Sequence, residues 1–151
     1  VEYQVRDARL TDIDRIGELV QRADDSWNDE QLSIAADLLR QLLYMPSAAV
    51  LVAVDGRLIE GVAVLSLRPS ISARGLVGAI DLLAIEPGHE LGGAIEVLLK
   101  ETIRSARNKG CVVLDAKVPF EPALLASMER RGFTEDGGRL SLPLVTVAAA
   151  R

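Results

Sequence analysis

Apolar residues return along this chain at two spacings, roughly every second residue and roughly every third or fourth, and the switches between them mark its elements. Val1 to Arg6 reads as a short strand. Ile13, Ile16, Val20 and Ala23 then recur at helical spacing behind Thr11, a residue suited to a helix cap, while Asp12 and Asp14 favour the positive end of the helix dipole. Asn28-Asp29-Glu30-Gln31 has the form of a capping box and precedes Leu32, Ala35, Leu39 and Leu42 on one face, until Pro46 stops the helix. Ala48 to Val54 and Leu58 to Leu67 are β-branched and apolar, and Asp55-Gly56 between them predicts a hairpin. After a polar loop from Arg68 to Gly75, a third central strand runs from Val77 to Ile85. Leu91, Ile95, Leu98, Leu99, Thr102, Ile103 and Ala106 mark a helix ending at Lys109-Gly110, where glycine suits a left-handed cap. Cys111 to Val118 predicts another strand. Pro122 opens a helix carrying Leu124, Leu125 and Met128, which Gly132 closes before Phe133, and a last strand fits Arg139 to Val145.

That order contains one strand-helix-strand crossover, which requires a parallel pair, among hairpin-linked neighbours, which are antiparallel. The expected class is α/β (α+β), with a mixed central sheet. No repeat or linker interrupts the pattern, so a single domain is expected over 1–151, and 49% hydrophobic residues suffice for a real core.

Composition narrows the partners. A net charge of −5 with no Lys/Arg-rich block argues against a nucleic-acid surface or an anionic membrane and suits a cationic ligand. One cysteine, Cys111, and one histidine, His89, exclude an internal disulfide framework and a Cys/His metal cluster, so no metal is expected. No apolar run approaches the roughly 20 residues of a membrane span, and no basic-then-apolar leader opens the chain, so a cytoplasmic protein is expected.

The chemically suggestive stretch is Ile85-Glu86-Pro87-Gly88-His89-Glu90-Leu91-Gly92-Gly93-Ala94-Ile95, a glycine-bearing turn from strand to helix. Glycines let backbone approach a ligand, and the first amides of a helix point free N–H groups outward, so such a turn can cradle an anion. With Ile85-Glu86-Pro87, the closing Gly132-Phe133 and the element order, the chain resembles the GNAT superfamily of acetyl-CoA-dependent N-acetyltransferases. Their signature is hydrophobic-x-Pro, then Arg/Gln-x-x-Gly-x-Gly/Ala, then a long helix. The resemblance covers nearly the whole chain and implies a GNAT-like sheet of about six to seven strands flanked by about four helices.

It also implies a site. In that family the fourth strand splays from the fifth and its backbone pairs with the pantetheine arm, a role that falls here on Leu83, Ala84 and Ile85. Helix-start amides hold the pyrophosphate, a role that falls on His89, Glu90, Leu91, Gly92, Gly93, Ala94 and Ile95. Counted from Pro87, Glu90 stands where Arg or Gln is expected, Gly93 on the central glycine, and Ile95 where glycine or alanine belongs. A frame one residue shorter, His89-x-x-Gly92-x-Ala94, restores the last two positions. Glu90 is explained by the helix dipole alone, yet its charge opposes coenzyme A if it faces the loop amides.

Moving an acetyl group to an amine needs a base, and Asp81 is the candidate, on a strand expected to be largely buried, where desolvation raises a carboxyl's pKa. The alternative is a strand-end carboxylate bonded to a loop or an arginine. The family's usual acid, a tyrosine four residues before Gly-Phe, is Met128 here, and the asparagine seven residues earlier is Glu121. His89, Cys111 or solvent remain as proton sources. Trp27 with Asp24, Asp25, Asp29 and Glu30 lies where the resemblance places the acceptor's cover, either as a wall that attracts an amine or as helix caps around an anchoring tryptophan. Lys100, Arg104 and Arg107 share a solvated helical face.

The expected function is acyl transfer from acetyl-CoA or another acyl-CoA to a small-molecule or peptide amine by direct attack. The alternative is a catalytically silent GNAT-fold module binding a ligand or protein partner. The apolar tail from Leu142 to Ala150 suits a homodimer edge under either function.

Overall fold

The computed structural model describes residues 2–88 and 93–145. Its elements are β1 (Gln4–Asp7), α1 (Ile13–Ala23), α2 (Asp29–Leu42), β2 (Ala48–Asp55), β3 (Leu58–Ser70), β4 (Gly75–Ile85), α3 (Ala94–Asn108), β5 (Cys111–Lys117), α4 (Pro122–Arg130), β6 (Thr134–Asp136) and β7 (Arg139–Pro143). Among the described residues these form one seven-stranded mixed sheet in the order β1-β2-β3-β4-β5-β7-β6. The one parallel pair is β4 with β5, joined by the α3 crossover. No described helix is long and apolar enough to cross a membrane.

Alternation along the strands divides the core in two. Val52, Val62 and Val64 pack with Ile16 and Leu19 of α1, whereas Leu51, Ala53 and Ala63 meet Leu98 of α3, and Leu65 meets Leu99 and Ile103. The helices therefore cover opposite faces. Leu98, Leu99 and Leu114 are fully buried, the kind of site where truncation to alanine costs about 2–5 kcal/mol.

Local chemistry departs from expectation at several elements. Thr11 does not cap α1. It lies inside a 3-10 turn, Leu10–Asp12, whose start the Asp12 carboxylate ties back by accepting from the Arg9 amide at 2.8 Å and from Arg6 at 2.7 Å. The hairpin turn is Gly56-Arg57, with Asp55 paired to Leu58 and Gly56 at φ +61°. The loop after β3 is shorter than expected, because β3 and β4 pair out to Ser70 and Gly75. Strand β6, which has no apolar alternation to announce it, adds an exposed edge beside β7. At α2, by contrast, the Asn28/Gln31 capping box forms as expected, with both bonds under 3 Å.

Two β-bulges interrupt the antiparallel pairing of the central strands. Ala53 pairs with Gly61 and Val54 with Ile59, so Glu60 is the extra residue on β3. Val64 pairs with Leu82 and Leu65 with Ile80, so Asp81 is the extra residue on β4.

Candidate active site

Beyond its bulge, β4 loses one neighbour. It is bonded to β5 only from Leu76 to Ile80, whereas its pairing with β3 continues to Ile85 opposite Gly61. Among the described residues, one edge of β4 therefore carries no strand from Asp81 to Ile85, a run of about 17 Å. A bulge increases local twist and turns a strand away from its partner. On the other side, β5 ends at Lys117 and meets Pro119, which has no N–H to continue a ladder. The open edge includes Leu83, Ala84 and Ile85, and chain continuity leads from it to the start of α3.

The bulge also sets side-chain direction. Ile80 and Leu83 both pack towards α3, which leaves Asp81 and Leu82 on the α1–α2 side. There they line a cavity of about 320 Å³ between the sheet and the two helices, with Val20, Trp27, Leu32, Leu39 and Lys117 among its other walls. Asp81 is exposed at this cavity, not buried in the strand as expected. The bulge is the reason, since the residue it inserts projects into the gap.

The loop after β4 is held at its first residues. Arg22 of α1 grips Glu86 through two bonds of 2.7 Å, and the Glu86 amide donates to the Glu60 carbonyl at 2.8 Å. Of the remaining loop residues, His89, Glu90, Leu91 and Gly92 lie outside the described residues, so their expected anion contacts do too. Gly93 is the N-cap of α3, and a Cβ there would run into the ring of Tyr3. Tyr3 in turn donates to Glu60, and this bond, with burial second, pushes its phenol up to about 12. Ala94 and Ile95 are buried beneath the helix start. In the first turn, Glu96 accepts from Arg130 at 3.0 Å and Arg131 at 3.2 Å. Desolvation alone would raise the Glu96 carboxyl, but the two guanidinium groups outweigh it and hold it below its ordinary value.

The sequence carries the profile of the acetyltransferase (GNAT) family over residues 13–133. The chain belongs to this family. Solved structures agree in fold. A transcriptional regulator of Bacillus halodurans C-125 superposes with a TM-score of 0.79 at 16% identity, covering 90% of this chain and 97% of its own. The yncA protein of Salmonella typhimurium, solved with its cofactor acetyl-CoA, gives 0.74 at 22% identity, with 98% and 97% covered. A chain of the NatC complex bound to Gag peptide and CoA gives 0.76 at 20%, with 96% and 100% covered. Curated proteins give no significant match.

Within the GNAT frame, Met128 is fully buried among Leu124, Phe133 and Leu140, so α4 presents no acid at that position. Cys111 is no substitute. It is buried at the far end of the β4–β5 pair, beside Leu76, and burial pushes its thiol up. Glu121 is the exposed N-cap residue of α4. The acidic run resolves into local structure, with Asp24 accepting from the Ser26 amide and Asp29 and Glu30 in the first turn of α2, while Trp27 lines the cavity. Lys100, Arg104 and Arg107 are exposed as expected. Among the described residues no three metal-ligating side chains cluster. Sequence reading missed Lys117, Tyr3 and Glu60. A glycine inside an apolar strand signals a bulge, so Glu60-Gly61 was the available clue to the last.

Proposed function

We propose that this GNAT-family protein is an N-acyltransferase that moves an acetyl or other acyl group from coenzyme A to an amine. The observation that carries this reading is the unpaired edge of β4 from Asp81 to Ile85, a row of free backbone donors and acceptors beside an apolar cavity. The residues present fit the co-substrate. Backbone groups of Leu83, Ala84 and Ile85 take the amide-bearing pantetheine arm as an added strand would be taken. Loop amides from His89 to Gly93 and the start of α3 at Ala94 and Ile95 take the pyrophosphate.

Acyl-CoA supplies an activated thioester. The chain holds the amine at the α1–α2 cavity, where Asp81 attracts the ammonium and accepts the proton that must leave before nitrogen can attack. The new C–N bond forms as the C–S bond breaks, and the second proton lost by nitrogen passes through water to the thiolate. A thiol with an ordinary pKa of about 8.5 leaves without a dedicated acid at modest cost, which accommodates a buried Met128.

Calorimetric titration with acetyl-CoA, followed by mass detection of free CoA and acylated amine, tests the proposal. Binding with turnover is expected. Absence of binding up to about 1 mM would remove the acyltransferase reading. Binding without turnover on any amine would favour the second reading, a silent GNAT-fold ligand-binding module, which the buried Met128 specifically supports.

A further inference from the structure

The cavity between α1, α2 and the β4 bulge is lined mainly by apolar side chains. Val20, Leu32, Leu39, Val64 and Leu82 line it with the Trp27 ring, and at about 320 Å³ it stands at the small end of ligand sites. Two charged residues interrupt this lining, Asp81 and Lys117. Ile80 and Ala116 form the last paired rung between β4 and β5, and Asp81 and Lys117 are the next residue of each strand, where the two part. Both are exposed, and among the described residues neither has an ion-pair partner.

An apolar slot that ends in one carboxylate and one ammonium has a complementary ligand. We propose that the acceptor is a free α-amino acid with a large apolar side chain. Its ammonium faces Asp81, its carboxylate faces Lys117, and its side chain fills the slot under α2 against Trp27. The zwitterion carries the two charges one carbon apart, so a single head group can offer one to each residue. A polyamine or aminoglycoside would leave cationic or hydroxyl groups unbonded against hydrocarbon, which disfavours both. A peptide N-terminus would offer Lys117 an amide oxygen in place of a carboxylate.

The catalytic half of this inference rests on the acyltransferase reading. Asp81 takes one proton from the ammonium, the freed amine attacks the thioester carbonyl, C–N forms as C–S breaks, and the second nitrogen proton passes through water to the thiolate, giving an N-acyl amino acid and CoA. The binding half stands without it.

The test uses L-phenylalanine, L-phenylalaninamide, L-serine and spermidine in calorimetry on the full chain without acyl-CoA, and then in acetylation with it. Phenylalanine is expected to bind most tightly. Loss of the carboxylate, in the amide, and loss of the ammonium, in Lys117→Met, should each weaken binding about tenfold, roughly 1.4 kcal/mol. The two losses should not add, so the variant binds acid and amide alike. Lys117 is exposed, and an unchanged circular dichroism spectrum confirms folding of the variant. Equal binding of acid and amide by the parent protein overturns the proposal, as does preference for spermidine or serine. If phenylalanine binds as expected but is not acetylated, the amino-acid site stands and the acyltransferase reading falls. If other amines are acetylated while phenylalanine neither binds nor reacts, the reverse holds.

Discussion

At the scale of single residues, two insertions in the strands decide where charge sits. Asp81 projects into the α1–α2 cavity because it is the extra residue of a bulge, and Glu60 meets Tyr3 for the same reason on β3. The Tyr3 ring rests where a Cβ on Gly93 would have to go, so the first strand and the start of α3 are interlocked by one absent methyl group. Gly93→Ala should therefore destabilise the protein by about 1–3 kcal/mol through displacement of the ring. In a Tyr3→Ala background most of that penalty should vanish, as read from a double-mutant cycle of thermal unfolding. Equal costs in both backgrounds would show that the ring is not the obstacle. Asp81 was legible in sequence as an acid inside an apolar strand. Its exposure was not, because a bulge depends on how two strands pair.

At the scale of elements, the helices differ in how they are held. α3 buries Leu98, Leu99, Ile103 and Ala106 against the sheet, whereas α2 buries only Leu39 fully, since the cavity lies beneath Leu32, Ala35 and Leu42. A helix over a cavity forfeits the packing that stabilises it and opens more easily. Amides from Leu32 to Leu42 are expected to exchange with deuterium at least about tenfold faster than those from Leu98 to Ala106, a difference of about 1.4 kcal/mol in opening. Equal protection would mean that the cavity does not loosen its cover. Periodicity located both helices and both apolar faces. It does not report whether a face meets side chains or space, so the difference between α2 and α3 was illegible.

At the scale of the whole molecule, paired carboxylates tie distant parts of the chain. Asp12 joins the start of α1 to β1 through Arg6, and its carboxyl is held low chiefly by that guanidinium. Glu96 joins α3 to the end of α4 through Arg130 and Arg131 and is also held low. A carboxyl whose folded pKa lies below its unfolded one stabilises the fold fully above the ordinary value, near 4, and progressively loses that contribution as pH falls through the folded value. Urea midpoints should thus drop as pH falls below about 5. They should drop less steeply in Asp12→Asn and Glu96→Gln, which start from lower stability at neutral pH. Parallel pH profiles for variants and parent would exclude these pairs as the source. The apolar tail adds Leu142 and Leu144 to the core, whereas Val145 is exposed.

Sequence alone determined the element order apart from β6, the mixed sheet and the family, because hydrophobic period, caps and turn residues act over a few neighbours and are written locally. It also located the loop after Pro87 and the acid at position 81. Only tertiary structure decided that β4 parts from β5 after Ile80, that Lys117 joins Asp81 at one cavity, and that Tyr3 and Glu60 underlie Gly93. Each of these joins residues far apart in the chain, through strand register and bulge placement. Turn and hydrophobic pattern fix register within a hairpin, but where a bulge falls and where β4 leaves β5 depend on strands distant in sequence.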